Sequence, residues 1–204
     1  MTKFGLVVLG AHIGIHIKGE IEKVLPKKVL LVEPVPHNVV EIKKNLNNLE
    51  GITIEQVALS DKNETRHFYF VKNTSIHKLK KHWSSGIGSF NKQHILDHKS
   101  KRFKVEEEDI EKVSINTIRF KDIVKKHQIK QINKLLIDIE GSEYEILNDI
   151  DFNSLNIKEI LFEYKHFDGY KKTGQKLEKT LEKLNIYGYK TSKIDEENIL
   201  AIKT

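Results

Sequence analysis

The sequence contains no cysteine among its 204 residues. This absence excludes disulfide bonds, thiol nucleophiles and cysteine-ligated zinc sites, and it is compatible with a cytoplasmic location. The sequence also lacks any apolar run of about 18 residues, the length that a membrane-spanning helix requires. The apolar residues 4–9 begin almost at the N-terminus and no cleavage-site pattern follows them, so we interpret them as a first strand and not as a signal peptide.

An arginine-rich stripe and an aromatic RNA-binding motif are missing as well, although the formal net charge is +6. Charge of this sign can indicate an acidic partner such as nucleic acid. Lysines dispersed over a solvated surface explain the same value, and we favour that explanation. Hydrophobic residues make up 38% of the chain and charged residues 31%, which is typical of a polar globular domain. We therefore predict a single domain over residues 1–204.

Apolar runs alternate with segments of helical periodicity along most of the chain. The predicted strands are residues 4–9, 29–32, 52–59, 134–137 and 157–162. The predicted helices include one over residues 13–25, one opened by Pro36, one from about Ser142 and one over residues 175–185. This alternation predicts an α/β fold with a mostly parallel sheet and helices on both faces. Two short apolar runs around the polar turn 195–198 predict an antiparallel hairpin that completes the sheet.

Residues 73–104 interrupt this alternation. The segment is polar, contains several glycines and serines, and has no regular apolar period. A loop of this length in a compact domain is usually functional, so we predict a lid or an insertion. The segment also places His94 and His98 four residues apart. We interpret this pair as a solvated helix face, because no third metal ligand accompanies it.

The carboxyl ends of the strands are where open parallel sheets bind ligands. After the first strand, Gly10 and Gly14 bracket a sharp turn with the spacing G-x-x-x-G. The glycine motifs that cradle phosphate groups are missing, which argues against NAD and ATP. A ligand without phosphate, such as an amino acid joined to a nucleoside, suits this turn. Glycines that serve only packing at a tight turn explain it equally well.

Polar residues follow the next two strands. Glu33 lies about 20 residues past the glycine turn, where a carboxylate can accept hydrogen bonds from the two vicinal hydroxyls of a ribose. Ser60 and Asp61 follow the third predicted strand. Asp61 can accept from an adenine amino group, and it can equally be an ordinary turn residue.

Several carboxylates follow the apolar run 134–137. Ser142 and Glu145 match a helix capping box, and Glu143 falls in the first helical turn, where negative charge is favourable. Asp138 and Glu140 precede that helix, so capping does not explain them. We therefore predict that Asp138 and Glu140 contact a ligand.

Together these motifs resemble the FkbM-type family of methyltransferases, which depend on S-adenosylmethionine (SAM), over residues 7–163. The stretch VVLGAHIG, residues 7–14, corresponds to a family motif close to VDVGANIG. EPVPHN (33–38), VALSD (57–61) and DIEGSE (138–143) correspond to further motifs of the family. Three positions depart from the pattern: Val8 replaces an acidic residue, His12 replaces asparagine and Leu136 replaces a frequent lysine.

The resemblance implies a Rossmann-like class I methyltransferase fold with seven strands, the last of them antiparallel. It also implies methyl transfer from SAM to a hydroxyl of a small-molecule or glycan acceptor. The cofactor-binding residues that it implies are Gly10, Ala11, His12, Gly14, Glu33, Pro34, Ala58, Ser60, Asp61 and Asp138. The candidate catalytic residues are Asp138, Glu140 and His166, the last because histidine changes charge near neutral pH.

Three alternatives accompany this interpretation. Val8 favours a SAM-binding protein without activity, and the net charge favours an RNA methyltransferase. Asp138 and Glu163 at neighbouring strand ends offer the oxygen ligands that Mg²⁺ prefers. Nothing in the sequence requires an ion there, so we predict no metal ligands.

Overall fold

The main sheet of the protein has seven strands. The computed structural model of the chain describes residues 2–79, 82–97, 99–100, 103–169 and 172–204. The strands of the described residues, including those outside the main sheet, are β1 (Thr2–Leu9), β2 (Lys28–Val32), β3 (Ile52–Glu55), β4 (Ala58–Leu59), β5 (Thr65–Val71), β6 (Gly88–Ser89), β7 (Lys99–Ser100), β8 (Phe103–Lys104), β9 (Ile110–Ile118), β10 (Ile129–Ile137), β11 (Asn156–Glu163), β12 (Tyr189–Lys193) and β13 (Asn198–Lys203). The order in the main sheet is β12-β13-β11-β10-β1-β2-β3. All pairs are parallel except those of β13, which confirms the predicted fold class and the antiparallel last strand.

Helices cover both faces of this sheet. The helices of the described residues are α1 (Lys18–Val24), α2 (Pro36–Asn45), α3 (Asn73–Leu79), α4 (Lys92–Leu96), α5 (Phe120–Lys126), α6 (Glu143–Asp149) and α7 (Gln175–Ile186), and all but α3 and α4 pack on the main sheet. On one face, α1 and α2 pack against the sheet through Leu6, Val8, Ile21 and Ile42. On the other face, α5, α6 and α7 pack through Val7, Leu9, Ile123, Ile146 and Leu177. Because both faces are covered, the central strands read as continuous apolar runs in the sequence.

The centre of the sheet brings three strand ends together. In the register of β1 with its neighbours, Leu9 lies beside Val32 of β2 and beside Ile137 of β10. The residues that follow these strands therefore meet at one edge of the sheet. This arrangement makes the carboxyl edge around β1 the place where a ligand site is expected.

Two predicted elements differ in extent from the structure. The first helix begins at Lys18 and not near Ile13, because His12 and the two glycines of the turn have positive φ angles, which an α-helix excludes. The predicted strand 52–59 is two strands. β3 belongs to the main sheet, whereas β4 pairs with β9 in a second sheet, so the chain changes sheets between them.

The second sheet has four strands in the order β4-β9-β5-β6 and was not predicted. β5 and β9 pair antiparallel from Thr65 opposite Asn116 to Val71 opposite Ile110. Most side chains of β9 are exposed or half-buried, so its sequence lacks the apolar run of a core strand. The sequence therefore gives little indication of this sheet.

The segment 73–104 is not the long irregular loop that its sequence indicated. It contains α3, a 3-10 turn at His82–Gly86, β6, α4, β7 and β8. Its apolar residues Ile87 and Ile95 join Val71, Val105 and Ile110 in a separate small core. These apolar residues come from short elements, which explains why no single period connects them. His98, which was paired with His94 in the sequence, lies outside the described residues.

Among the helices of the described ranges, none combines the length and the apolar character that crossing a membrane requires.

Candidate active site

A narrow crevice lies at the carboxyl edge of β1, β2 and β10. Its polar lining includes Glu33, Asp138 and Glu140, and its apolar lining includes Val35, Val57, Ala58, Phe68 and Phe90. Gly10 and Pro34 also line it, and Gly86, Gly88 and Ser89 of the segment 73–104 lie along it. The enclosed space is about 60 Å³. Sites for drug-sized ligands usually measure about 300–1,000 Å³, so this conformation is nearly closed.

The glycine turn after β1 packs directly against the end of β10. The backbone N–H groups of Gly10 and Ala11 both donate to the carbonyl of Val32, at 3.0 and 3.1 Å. Gly10 has a φ of 88°, and a Cβ on it would lie 1.7 Å from the carbonyl oxygen of Asp138. A side chain at this position is therefore excluded by both backbone conformation and space. The turn needs glycine here for packing, and the same close approach brings Asp138 to the crevice.

Glu33 is buried at the end of β2, with 4% of its surface exposed. Its Oε2 accepts from the backbone N–H of His12 at 2.8 Å. Its Oε1 accepts from the backbone N–H of Val35 at 3.0 Å and from the side-chain amide of Asn38 at 3.1 Å. Burial raises the pKa of Glu33 to about 7, although the three hydrogen bonds act in the opposite direction. Glu33 thus links the glycine turn to the start of α2.

The 3-10 turn of the segment 73–104 closes over this region. Oγ of Ser85 and Nε2 of His12 form a hydrogen bond. The Ser85 carbonyl accepts from the side-chain amide of Asn38 at 2.8 Å. The segment therefore contacts His12 and Asn38, which both donate hydrogen bonds to Glu33, and it covers the crevice from one side.

The loop from Asp138 to Ser142 is held by Glu143 and not by a capping box. Ser142 makes no side-chain capping hydrogen bond, so the predicted capping role of Ser142 is wrong. The Glu143 carboxylate accepts from the backbone N–H groups of Ile139 at 2.8 Å and Gly141 at 3.0 Å. A glutamate carboxylate reaches these donors because the loop folds back over the first turn of α6. This loop gives Glu140 a φ of 56°, an unusual backbone angle for a residue other than glycine.

Glu140 meets two histidines at one end of the crevice. Its Oε2 lies 3.2 Å from Nε2 of His166 and 3.5 Å from Nε2 of His94. The two imidazole rings contact each other edge to face, with centroids 4.9 Å apart. Burial acts to raise the pKa of Glu140, but His166, His94 and Lys165 outweigh it, so the pKa lies well below its usual range. The carboxylate of Glu140 therefore stays ionised.

Asp138 is exposed at the crevice. The surrounding protein atoms displace water from the Asp138 carboxyl, and this desolvation raises its pKa. Repulsion by Glu140 and then Glu143 raises the pKa further. Because the Asp138 side chain is open to water, it is also open to a ligand. Nearby, Glu163 at the end of β11 pairs with Lys165, with Oε1 and Nζ 2.5 Å apart.

Apart from His166, the structure places the predicted site residues in three groups. The group that lines the crevice is Gly10, Glu33, Pro34, Ala58, Asp138 and Glu140. Ala11, His12 and Gly14 belong to the turn behind it. Ser60 and Asp61 lie outside the lining, where the Ser60 hydroxyl donates to Asp61 at 3.1 Å.

His166, the third catalytic candidate, contacts Glu140 and is not among the lining residues. The sequence interpretation missed His94, which we had assigned to a solvated helix face. That assignment is wrong, because the His94 side chain is only 19% exposed and meets Glu140. Lys165 was missed as well. Its position two residues after the acidic end of β11 was the available signal.

The comparisons with known proteins concern nearly the whole chain. The sequence profile described as the methyltransferase FkbM domain matches residues 9–191. Among solved structures, the chain is similar to the methyltransferase FkbM from Methylobacillus flagellatus KT, with a TM-score of 0.54 and 15% identity. The similarity covers 98% of this chain but 43% of that protein, so the chain spans less than half of its length.

A second similar structure is fibrillarin from Aeropyrum pernix, which was crystallised with natively bound S-adenosyl-L-methionine. The TM-score is 0.51 and the identity is 9%, over 98% of this chain and 67% of the fibrillarin chain. At such identities the likeness concerns the fold alone. No curated protein sequence matches the chain.

Proposed function

The chain belongs to the FkbM methyltransferase family, as its strand-end motifs predicted, and on that premise we propose that it transfers a methyl group from SAM to an acceptor hydroxyl. The acceptor in this proposal is a small molecule or a glycan. SAM supplies an electrophilic methyl group on a positively charged sulfur. The residues at the carboxyl edge of the sheet bind it, align the acceptor and take up the acceptor's proton.

The observation that carries the proposal is the position of Glu33. A buried carboxylate at the end of the second strand faces a crevice that has an apolar wall on one side and Asp138 and Glu140 at the other end. A carboxylate has about four acceptor positions, and the three described hydrogen bonds to Glu33 leave one for a ribose hydroxyl. The second ribose hydroxyl can replace one of the present donors. This arrangement supports a nucleoside ligand.

The walls of the crevice suit the other parts of SAM. Val35, Ala58 and Phe90 form an apolar surface on which an adenine ring can lie. Asp138 and Glu140 place negative charge at the other end, which favours the cationic sulfonium and amino groups. Val8, which departs from the family motif, is buried in the core beside α1 and is not part of the lining. The departure at Val8 therefore removes no group from the crevice itself, which supports an active enzyme over a binding protein without activity.

The space in the crevice requires the covering segment to move. A cavity of about 60 Å³ holds only a few water molecules. Entry of SAM needs the 3-10 turn and Phe90 to shift outward, and this is consistent with a role of residues 73–104 as a lid.

Methyl transfer is an in-line displacement, so it depends mainly on alignment and on removal of the hydroxyl proton. Asp138 is the carboxylate that solvent reaches at the crevice, so we assign it the role of proton acceptor. Glu140 remains ionised beside the acceptor position and orients it. His166 contacts Glu140 and holds that carboxylate in place, which makes His166 a positioning residue in this proposal.

Calorimetric titration with S-adenosylhomocysteine tests the cofactor assignment. Glu33→Ala should weaken binding by about 1.5–3 kcal/mol, since hydrogen bonds to a charged acceptor are lost. Glu22→Ala, on the exposed side of α1, is the matched control and should bind like the wild type. Equal affinity of the Glu33→Ala variant and the wild type would refute the ribose assignment. A tritium-transfer assay with hydroxylated acceptors then separates an active enzyme from an inactive binder.

A further inference from the structure

We propose that His94, Glu140 and His166 form a binding site for one divalent transition-metal ion at the end of the crevice. The three side chains come from three separate places in the chain: α4, the loop before α6 and the loop after β11. One ligand atom from each, two imidazole nitrogens and one carboxylate oxygen, lies within 4.8 Å of the others. No two of these residues are neighbours in the sequence, so the fold itself brings them together.

Two of the three separations between the ligand atoms match those of ligands around a single ion, and the third is within 4.8 Å. Bonds from a transition metal to histidine nitrogen and carboxylate oxygen measure about 2.0–2.2 Å, which puts neighbouring ligand atoms about 3.0–3.5 Å apart. The distances from Glu140 Oε2 to Nε2 of His166 and of His94 are 3.2 and 3.5 Å. Glu140 Oε2 therefore already lies at the spacing of neighbouring ligands from both imidazoles.

The charge around the three ligands favours a cation. Glu140 lies near three further carboxylates, those of Asp138, Glu143 and Glu163. Against these four acidic groups stands Lys165, whose Nζ is 2.5 Å from Glu163 and 3.9 Å from Glu140. Lys165 thus forms its short ion pair with Glu163 and a longer one with Glu140, and a single lysine does not balance the four carboxyl groups.

The ligand set selects the class of metal. Two imidazoles with one carboxylate suit iron, manganese, cobalt, nickel or zinc, whereas Mg²⁺ prefers oxygen ligands alone. The oxygen-only group of Asp138, Glu143 and Glu163 is a poorer candidate. Glu143 already accepts from the backbone of Ile139 and Gly141, and Glu163 is paired with Lys165. The histidine-containing site is therefore the one we propose.

Metal titration of protein first dialysed against a chelator tests this inference. Co²⁺ is the probe, because its visible absorption reports nitrogen and oxygen coordination, and the experiment needs neither SAM nor an acceptor. We expect one equivalent to bind. His94→Gln and His166→Gln should each weaken binding by about 100-fold or more, since even loss of an outer partner of a ligand costs about 10–100-fold. His67→Gln, an exposed histidine on β5, is the control and should bind Co²⁺ normally.

Glu140→Gln provides a nearly isosteric third variant if a histidine variant folds poorly, with circular dichroism as the check of folding. Absence of Co²⁺ absorption in the wild type would overturn the proposal, and the two histidines would then contact Glu140 only as an ion pair. Stoichiometric binding that survives both histidine changes would overturn it as well. Failure of the SAM titration leaves this result unaffected, so the two proposals fail separately.

Discussion

At the scale of single residues, Glu33 is the most buried carboxylate that lines the crevice. It is also the residue that we propose to contact the ribose directly. Three donors from the glycine turn, the strand end and α2 converge on it. Even so, burial dominates and raises its pKa to about 7, so both protonation states of Glu33 are populated near neutral pH in the free protein. A residue of this kind makes folding stability depend on pH.

The sign of that dependence follows from proton binding. Since the pKa of Glu33 rises from 4.5 to about 7 on folding, the folded state binds more protons than the unfolded state between these values. Stability should therefore fall as the pH rises from about 5 to 7. Glu33→Gln cannot ionise, so its loss of stability over this range should be smaller than that of the wild type. Urea unfolding at pH 5 and pH 8 measures the difference, with Glu22→Gln as the control. An identical pH dependence in wild type and Glu33→Gln would contradict the raised pKa.

Asp138 is the second residue for which stability and activity should separate. Its side chain is exposed, and its structural contribution is the backbone N–H that donates to the carbonyl of Leu9 at 3.0 Å. Asp138→Asn keeps this hydrogen bond and reduces repulsion among the carboxylates, so the thermal midpoint should stay within a few degrees. Methyl transfer should fall about 100-fold or more, the usual effect of losing a positioned acid or base. A variant that unfolds while its folded fraction stays active would assign Asp138 to structure alone.

How far single residues could be predicted depended on where they lie. Glu33, Asp138 and Glu140 were predicted because parallel strands point their carboxyl ends to one edge, so a polar residue after an apolar run marks the site. His94 reaches the same place from a segment without a recognisable period. Only the three-dimensional path of that segment brings His94 to Glu140, and no spacing in the sequence encodes it.

At the scale of elements, the turn before α6 depends on Glu143 and not on Ser142. Glu143→Gln should destabilise the protein by about 1–3 kcal/mol, because the charged acceptor of two backbone donors is weakened in a buried place. Ser142→Ala should change stability by less than about 0.5 kcal/mol, as for a residue without a special contact. Urea denaturation compares the two. A larger loss of stability in Ser142→Ala than in Glu143→Gln would instead support a capping box at Ser142.

The glycine turn after β1 offers a graded series of substitutions. Gly10→Ala should destabilise by more than about 3 kcal/mol, above the usual range, because the new Cβ meets the Asp138 carbonyl. Gly141→Ala meets no atom within 4 Å but has a φ of 116°, so it should cost about 1–3 kcal/mol of backbone strain. Gly19→Ala in α1 has open space and should be neutral or stabilising by up to about 1 kcal/mol. Thermal unfolding in a different order would contradict the packing argument.

The elements that the sequence predicted are those buried on both faces. β1, β2, β10 and β11 are apolar runs of the main sheet, and their neighbours in sequence are amphipathic helices. β5 and β9 pair with each other across a long sequence separation, and most side chains of β9 are exposed or half-buried. β9 carries no continuous apolar run and β5 carries only the short run 68–71. The pairing that defines the two strands is not local, so the sequence pattern did not indicate it.

At the scale of the whole molecule, the segment 73–104 joins the two halves of the crevice. Ser85 contacts His12 and Asn38 on one side, and His94 contacts Glu140 on the other. With the crevice nearly closed, ligand exchange should require this segment to open. We expect hydrogen exchange in residues 82–97 to slow when S-adenosylhomocysteine is bound. Residues 129–137 of the central strand β10 should exchange equally slowly with and without the ligand. Unchanged exchange in residues 82–97 would count against a lid.

The position of β1 between β2 and β10 has a consequence for the synthesis of the protein. β2 follows β1 closely, but β10 begins only at Ile129, so one edge of β1 has no partner while the intervening residues are being translated. That edge belongs to a strand whose side chains from Phe4 onward are apolar and buried in the finished protein. An unpaired apolar strand edge is a site of aggregation. The nascent chain thus carries this hazard until residues 129–137 have left the ribosome, and the crevice cannot form before then.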